Sequence, residues 1–361
     1  MKQYICLASD PWRAAPTRVQ HFMSRLKNAE ILYFEPPTPG GHDYRERGRR
    51  VRPGLTVYTL PPASQVDERY ARLFRRNMLR QTEFIESKLE RHRFREPVLW
   101  LTSPKQVHFL DYLAYRGLVY DCDREWSGLP LRWESDLALA ADVIFAASPM
   151  LVDRLSPCNN NICLLPNGAN PSMFSRAGLR TPPELRGLKV PVLGYVGAIW
   201  RDLDLSPVWE TARRHREWAF VFLGRTMGEH AMFRTLKALP NVAFLGWKSP
   251  VDLPDYLSRF DVCLNLYRRS EIGTDIIQQR LYEYLSTGKP IVSMLWEDQV
   301  EPFPDVIYGA HTHAEFAHMC ATALQERGDW ASKRRLEYGR AAAWSARAEE
   351  LCRVLSAIGL Y

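Results

Sequence analysis

The feature that most constrains this chain is the regular exchange of short apolar runs with amphipathic segments. "KQYICLAS", "EILYFEPP", "LTVYTLPP", "EPVLWLTSP", "LVYDCD", "DVIFAAS" and "NICLLPNG" are rich in β-branched and aromatic residues and are short enough to be strands. Between them lie segments of helical character: "TRVQHFMSRLKNA", the long "DERYARLFRRNMLRQTEFIESKLERHR", "VHFLDYLAYRG", "LRWESDLALAA" and "PMLVDRL". The basic stretch "YRERGRRVRP" reads as a loop. Strand and helix in alternation mean parallel strands joined by crossover helices, so the first half is expected to be a doubly wound α/β domain.

The pattern then restarts. After "NPSMFSRAGLRTPPELRGLKVP", a Pro-rich polar stretch of linker character, come "VLGYVGAIW", "WAFVFLGR", "NVAFLGW", "DVCLNLYR" and "KPIVSML" as strands, interleaved with "DLSPVWETARRHRE", "HAMFRTLKAL", "VDLPDYLSRF" and "IIQQRLYEYLSTG" as helices. A helical region from about His313 to Ile358 closes the chain, its last helix expected to return toward the first lobe. The expected domains are residues 1–172 and 186–361, both Rossmann-like, with the linker at 173–185. A chain of 361 residues suits two average domains better than one core. Two such lobes are expected to face a central cleft, with ligands beyond the carboxyl ends of the strands.

Composition excludes several classes. Hydrophobic residues make up 46% and charged residues 25%, with no low-complexity block, so disorder is excluded. No run of about 18 apolar residues exists, and the apolar start "MKQYICLASDPW" is too short for a signal peptide, so a cytoplasmic protein is expected. The seven cysteines form no Cys-x-x-Cys pair and read as reduced small hydrophobes. The net charge of +7 is concentrated: "YRERGRRVRP" and "ERYARLFRRNMLRQ" hold ten arginines. Such a face suits phosphates, anionic lipid or nucleic acid, and its ordinary reading is a solvated surface.

The second lobe carries the chemistry. Three strand ends pair glycine with a polar or charged neighbour: Gly197 ahead of Arg201, Gly224 beside Arg225, and Gly246 beside Trp247. Glycine lets backbone approach a ligand, and arginine clamps phosphate oxygens with two donors. In "TDIIQQRLYEYLSTGKP", Thr274 or Asp275 is expected to cap a helix beginning near Ile276, with Gln278 completing a capping box and a phosphate at the helix start. Gly288 and Pro290 are expected to end that helix; the Gly-Lys pair lacks the spacing of a Walker loop. Asp275 and Glu283 stand eight residues apart, suited to hydroxyls at two ends of an extended ligand with phosphates between.

The run "IIQQRLYEYLSTGKPIVSM", with "LPNGANPSMF", "LGYVGAIWRDLD", "FVFLGR", "LPNVAFLGWKSPVDLPDYLSRFDVCLNLYR", "DPWRAAPTRVQHF", "VYDCD" and "ADVIFAAS", resembles the GT-B glycosyltransferases of the large retaining family 4. The likeness covers most of the chain and is closest to the teichuronic-acid, polysaccharide-synthesis branch. It implies a pair of acidic residues eight apart, of which Glu283 binds ribose hydroxyls and Asp275 contacts the donor sugar. The family has Glu at that first position, so the arm is one methylene shorter here, and Glu271 is the alternative contact. The resemblance also assigns Arg280 to the diphosphate and Trp247 to the nucleobase; a surface ion pair and a core tryptophan are the competing readings.

For the acceptor, Asp10, Arg18 and His21 follow the first strand, and Asp121 and Asp123 end "LVYDCD". Asp123 is the acceptor-side carboxylate: a general base if the reaction inverts, whereas the resemblance implies retention with help from the leaving phosphate. The expected function is transfer of a hexose from a nucleotide diphosphate sugar to a saccharide or lipid-linked acceptor, with no cofactor and no metal. Peripheral docking on an anionic membrane through "YARLFRRNMLR" goes with it. The alternatives are a nucleotide-sugar epimerase on the same fold and a basic nucleic-acid binder. Against the latter, the basic and aromatic residues match no nucleic-acid module.

Overall fold

The structure, a computed structural model, describes all residues except 1, 14, 38–46, 64–67, 176–177, 201–202, 229–230, 268–274 and 295–301. It divides into two compact units, Met1–Pro166 with Ala348–Tyr361, and Asn167–Arg347. Residues 173–185, read above as a linker, belong to the second unit and there include the short 3-10 turn Pro183–Leu185.

Among the described residues the first unit holds eight strands: β1 (Lys2–Leu7), β2 (Ala29–Glu35), β3 (Arg49–Arg52), β4 (Leu55–Thr59), β5 (Val98–Leu101), β6 (Gly117–Cys122), β7 (Val143–Ala146) and β8 (Ile162–Leu164). Their order in the sheet is β3-β4-β2-β1-β5-β6-β7-β8. Every pair is parallel except β3 with β4. Central strands such as β5, "VLWL", are buried on both faces and read as unbroken apolar runs instead of alternating ones. The C-terminal residues dock on this unit: the Tyr4 hydroxyl donates to the Leu360 carbonyl at 2.7 Å, and Leu360 fills the space a side chain on Gly117 would need.

The second unit orders β9 (Val192–Val196), β10 (Ala219–Leu223), β11 (Val242–Phe244), β12 (Val262–Asn265), β13 (Ile291–Met294) and β14 (Ile307–Ala310) as β11-β10-β9-β12-β13-β14, all parallel. Val192 and Val196 of β9 enter one apolar layer with Phe260 and Leu281; Leu193 and Tyr195 enter the other with Val208 and Phe316. Gly194 has no side chain because the Phe260 ring occupies its place. In each sheet the chain order reverses beside the central strand, between β1 and β5 and between β9 and β12. Open α/β sheets bind their ligands at these reversal points.

Three local expectations are corrected. The basic stretch is not wholly loop: Arg49–Arg52 is an exposed antiparallel edge strand, where a row of arginines discourages pairing with another chain. "VHFLDYLAYRG" forms no α-helix; a 3-10 turn, Pro104–Phe109, is capped by Ser103 and followed by further turns. Its His108 ring is held edge-on between Phe74 at 4.8 Å and Trp133 at 4.9 Å, which fixes the short crossover. The third correction concerns Asp275 and is taken up with the site.

Candidate active site

In the second unit the glycine ends of β9, β10 and β11 are bonded to one another. Gly197 N–H donates to the Leu223 carbonyl and Gly224 N–H to the Gly246 carbonyl, each at 2.9 Å. A Cβ on Gly224 would lie 1.7 Å from the Gly197 carbonyl oxygen, so these two turns tolerate no side chain. Gly246 adopts the left-handed conformation, φ 71°, at the turn into Trp247. Arg225 and Trp247 meet at this edge: the guanidinium lies 5.4 Å from the indole centroid. Trp247 is 46% exposed, which removes the core reading and leaves one ring face-pairing with a cation at the surface.

The helix Gln279–Leu285 approaches the same strand ends. The Tyr284 hydroxyl accepts from Val196 N–H at 2.8 Å, so the helix is fastened to the last residue of β9, next to Gly197. Glu283, 8% exposed, accepts from Gln279 Nε2 at 2.9 Å through one oxygen and pairs with Arg280 through the other. Burial opposes the Arg280 charge, but the Glu283 carboxylate and the hydroxyls of Tyr284, Tyr267 and Tyr195 outweigh it and raise its pKa. The acid among core residues is therefore charge-paired, as its burial requires.

The helix does not begin near Ile276. Its N-cap is Gln278, in extended conformation, and residues 275–277 before it are in neither helix nor strand. The reason is distant in sequence: Asn167 Nδ2 donates to the Ile277 carbonyl at 3.0 Å, taking the acceptor that an earlier turn would have used. Asp275 precedes the helix as a buried residue and is not its N-cap. Gly288 behaves as expected, ending the helix at φ 71° against Ser332. Arg201, Glu271 and Thr274 lie outside the described residues.

In the first unit, Asp10 after β1 and Asp123 after β6 are brought together by a residue the sequence reading missed, Arg124. Its guanidinium donates to Asp10 Oδ2 at 2.7 Å and to Asp123 Oδ1 at 2.8 Å and lies 5.3 Å from the Trp126 ring centroid. Burial works against its charge, but Asp123 and Asp10 prevail and push its pKa up. The Tyr33 hydroxyl donates to the Asp10 carbonyl at 3.0 Å, and Ser9 N–H donates to Thr102 Oγ1 at 2.7 Å, binding β1 to the end of β5. The signal for Arg124 was its place directly after an acid at a strand end.

Arg18 and His21, assigned above to the acceptor, are buried. Arg18 is 4% exposed; its Nε donates to Asp121 Oδ1 at 2.8 Å and its NH1 bonds the Leu165 carbonyl. Burial raises the Asp121 pKa and Arg18 pulls it back, with burial the larger effect. His21 is also 4% exposed; burial, then Arg25, lower its pKa to about 3, so the ring is neutral. The two acids of Asp121-Cys122-Asp123 thus serve different arginines, one buried and one at the strand-end surface.

The two parallel sheets and their connecting helices are the GT-B glycosyltransferase fold. Solved structures of this shape include the trehalose-6-phosphate protein of E. coli bound with UDP-2-fluoro glucose, at TM-score 0.76 and 13% identity over 98% of this chain and 99% of that one. Anabaena Alr3699/HepE in complex with UDP matches at TM-score 0.70 and 14% identity over 99% and 100%. Sucrose-phosphate synthase of Thermosynechococcus elongatus matches at TM-score 0.74 and 13% over 99% of both chains.

Sequence comparison agrees with the fold. The "Glycosyl transferase-like" family model matches residues 205–353, which include the helix carrying Arg280 and Glu283. A Bacillus subtilis (strain 168) protein described as a teichuronic acid biosynthesis glycosyltransferase, TuaH, is 27% identical over 259 residues, 64% of each chain. The chain thus has the fold of the GT-B enzymes and is similar in sequence, over part of its length, to glycosyltransferases.

Proposed function

We propose that the protein transfers a hexose from a nucleoside diphosphate sugar to a saccharide or lipid-linked acceptor in cell-surface polysaccharide synthesis, with retention at the anomeric carbon. The observation that carries this reading is the surface at the ends of β9–β11. Bare glycine backbone there adjoins one charge-paired carboxylate, Glu283, and one exposed Arg–Trp pair. The UDP and UDP-sugar carried by two structural neighbours, and the polymer named for the Bacillus relative, support a nucleotide-sugar donor and a polysaccharide product.

In this reading Trp247 offers its ring to the nucleobase, and the Glu283 oxygens use their remaining lone pairs to accept from ribose hydroxyls. Arg225, Arg280 and, outside the described residues, Arg201 and Thr274 take the diphosphate, where Gly197 admits it to the backbone. Asp275 or Glu271 contacts the donor sugar. As the bond from the anomeric carbon to the diphosphate breaks, the arginines stabilise the charge that develops on the leaving oxygen. The acceptor hydroxyl bonds to that carbon and gives its proton to the departing phosphate; no metal is invoked. Asp123 and Asp10, fixed by Arg124, hold acceptor hydroxyls; Arg18 and His21 support that strand end from beneath.

The test is turnover of UDP, GDP, ADP and dTDP hexoses, with and without oligosaccharide and lipid-linked acceptors. Glu283→Ala should lower kcat/KM for the donor about a hundredfold, the scale of one lost charged contact, and should also lower the melting temperature because it leaves the buried Arg280 unpaired; Glu283→Gln, of the same shape, should weaken donor use with a smaller loss of stability. Wild-type turnover in the alanine variant would sink the assignment. A changed sugar from donor alone would make the protein an epimerase.

A further inference from the structure

The helix Ala71–Arg91 is two helices in character. Its second half is buried through Phe84, Ile85 and Lys88, with the Phe84 ring 6.2 Å from Tyr58 of β4. Its first half stands out from the unit. Arg72, Arg75, Arg76 and Arg80 line one outward stripe with Leu79 and, at its far end, Glu83, the first acidic residue of the helix.

This stripe is not merely a solvated charge run. Leu73 is 46% and Leu79 40% exposed among the arginines, and Tyr70, just before the helix, is 60% exposed. The Phe74–His108–Trp133 contacts tie the helix to its neighbour Leu131–Ala140, whose first residue, Leu131, is 79% exposed. Large apolar side chains in water, set between cations and held on a rigid scaffold, suit a phase that is anionic at its surface and apolar beneath. Nucleic acid would use the arginines but leave the leucines unexplained, since its binding grooves add stacking aromatics. No helix of the described residues is long and apolar enough to cross a membrane.

We infer that the first half of this helix, with Tyr70, docks the protein on an anionic lipid bilayer. The arginines are drawn to phosphate headgroups and the leucines enter the acyl boundary. The inference goes beyond the transferase reading, and its test uses no turnover.

The experiment is co-sedimentation of the full chain with phosphatidylcholine vesicles with and without phosphatidylglycerol, over a salt series. The wild type should bind the anionic vesicles only and release as salt rises. The double variant Arg75→Glu/Arg76→Glu should lower the partition coefficient on the order of 20-fold or more, and Leu73→Asn/Leu79→Asn roughly fivefold. Arg213→Glu/Arg214→Glu in the second unit should change nothing. The salt series on the wild type keeps the test decisive if a variant misfolds. Absent binding, equal binding to neutral vesicles, or a helix-dependent affinity for an oligonucleotide at physiological salt in place of vesicles would overturn the proposal.

Discussion

The two sheets end in opposite ways at their reversal points. In the first unit the charges are spent on one another: Arg18 with Asp121 below, Arg124 with Asp10 and Asp123 above. In the second, the strand ends are bare glycine backbone, and among the described residues Arg225 lies against the Trp247 ring. A surface of neutralised carboxylates suits a ligand rich in hydroxyls. One of open backbone and available guanidinium suits an anion with a flat group attached. The same fold thus yields two kinds of strand-end surface through what its loops carry.

The comparison breaks first at Arg18. If it is a buried strut, Arg18→Ala strands the Asp121 charge and lowers unfolding free energy by about 3–5 kcal/mol, whereas Arg225→Ala, exposed, leaves it nearly unchanged; denaturant titration of both reads the difference. His21 gives a smaller, pH-dependent effect. Its pKa is about 3 folded and 6.5 unfolded, so below pH 6.5 the unfolded chain holds the extra proton and stability falls as pH falls. By pH 5 the loss reaches about 2 kcal/mol, and His21→Gln should flatten that part of the stability profile. Smallest is Trp247→Ala, expected to weaken nucleoside diphosphate binding about tenfold with stability unaltered, as calorimetry would show.

The fold was legible because parallel strands buried on both faces announce themselves as apolar runs, as β5 and β9 do. The pairing of Arg280 with an acid, the competing reading of that residue, was open to the sequence because Glu283 stands three residues on along the same helix. Three features of the strand ends that the sequence did not show share one cause, a partner far away in sequence. Asn167 holds back the helix start 110 residues later; Asp121, 103 residues on, covers Arg18; Arg124 reaches Asp10 across 114 residues. Periodicity and capping rules see neighbours along the chain, and these three contacts form only when the sheet is assembled.

The central claim is that the second unit's strand ends bind a nucleoside diphosphate. A thermal-shift titration of the full chain with UDP, GDP, ADP and dTDP tests it most directly, because a ligand of the folded state raises the melting temperature with its concentration. The account predicts a saturable rise with at least one of the four, reduced in Glu283→Ala and Trp247→Ala and intact in Asp123→Asn. A flat response to all four, or a rise that the Asp123 variant abolishes while the other two retain it, would contradict it.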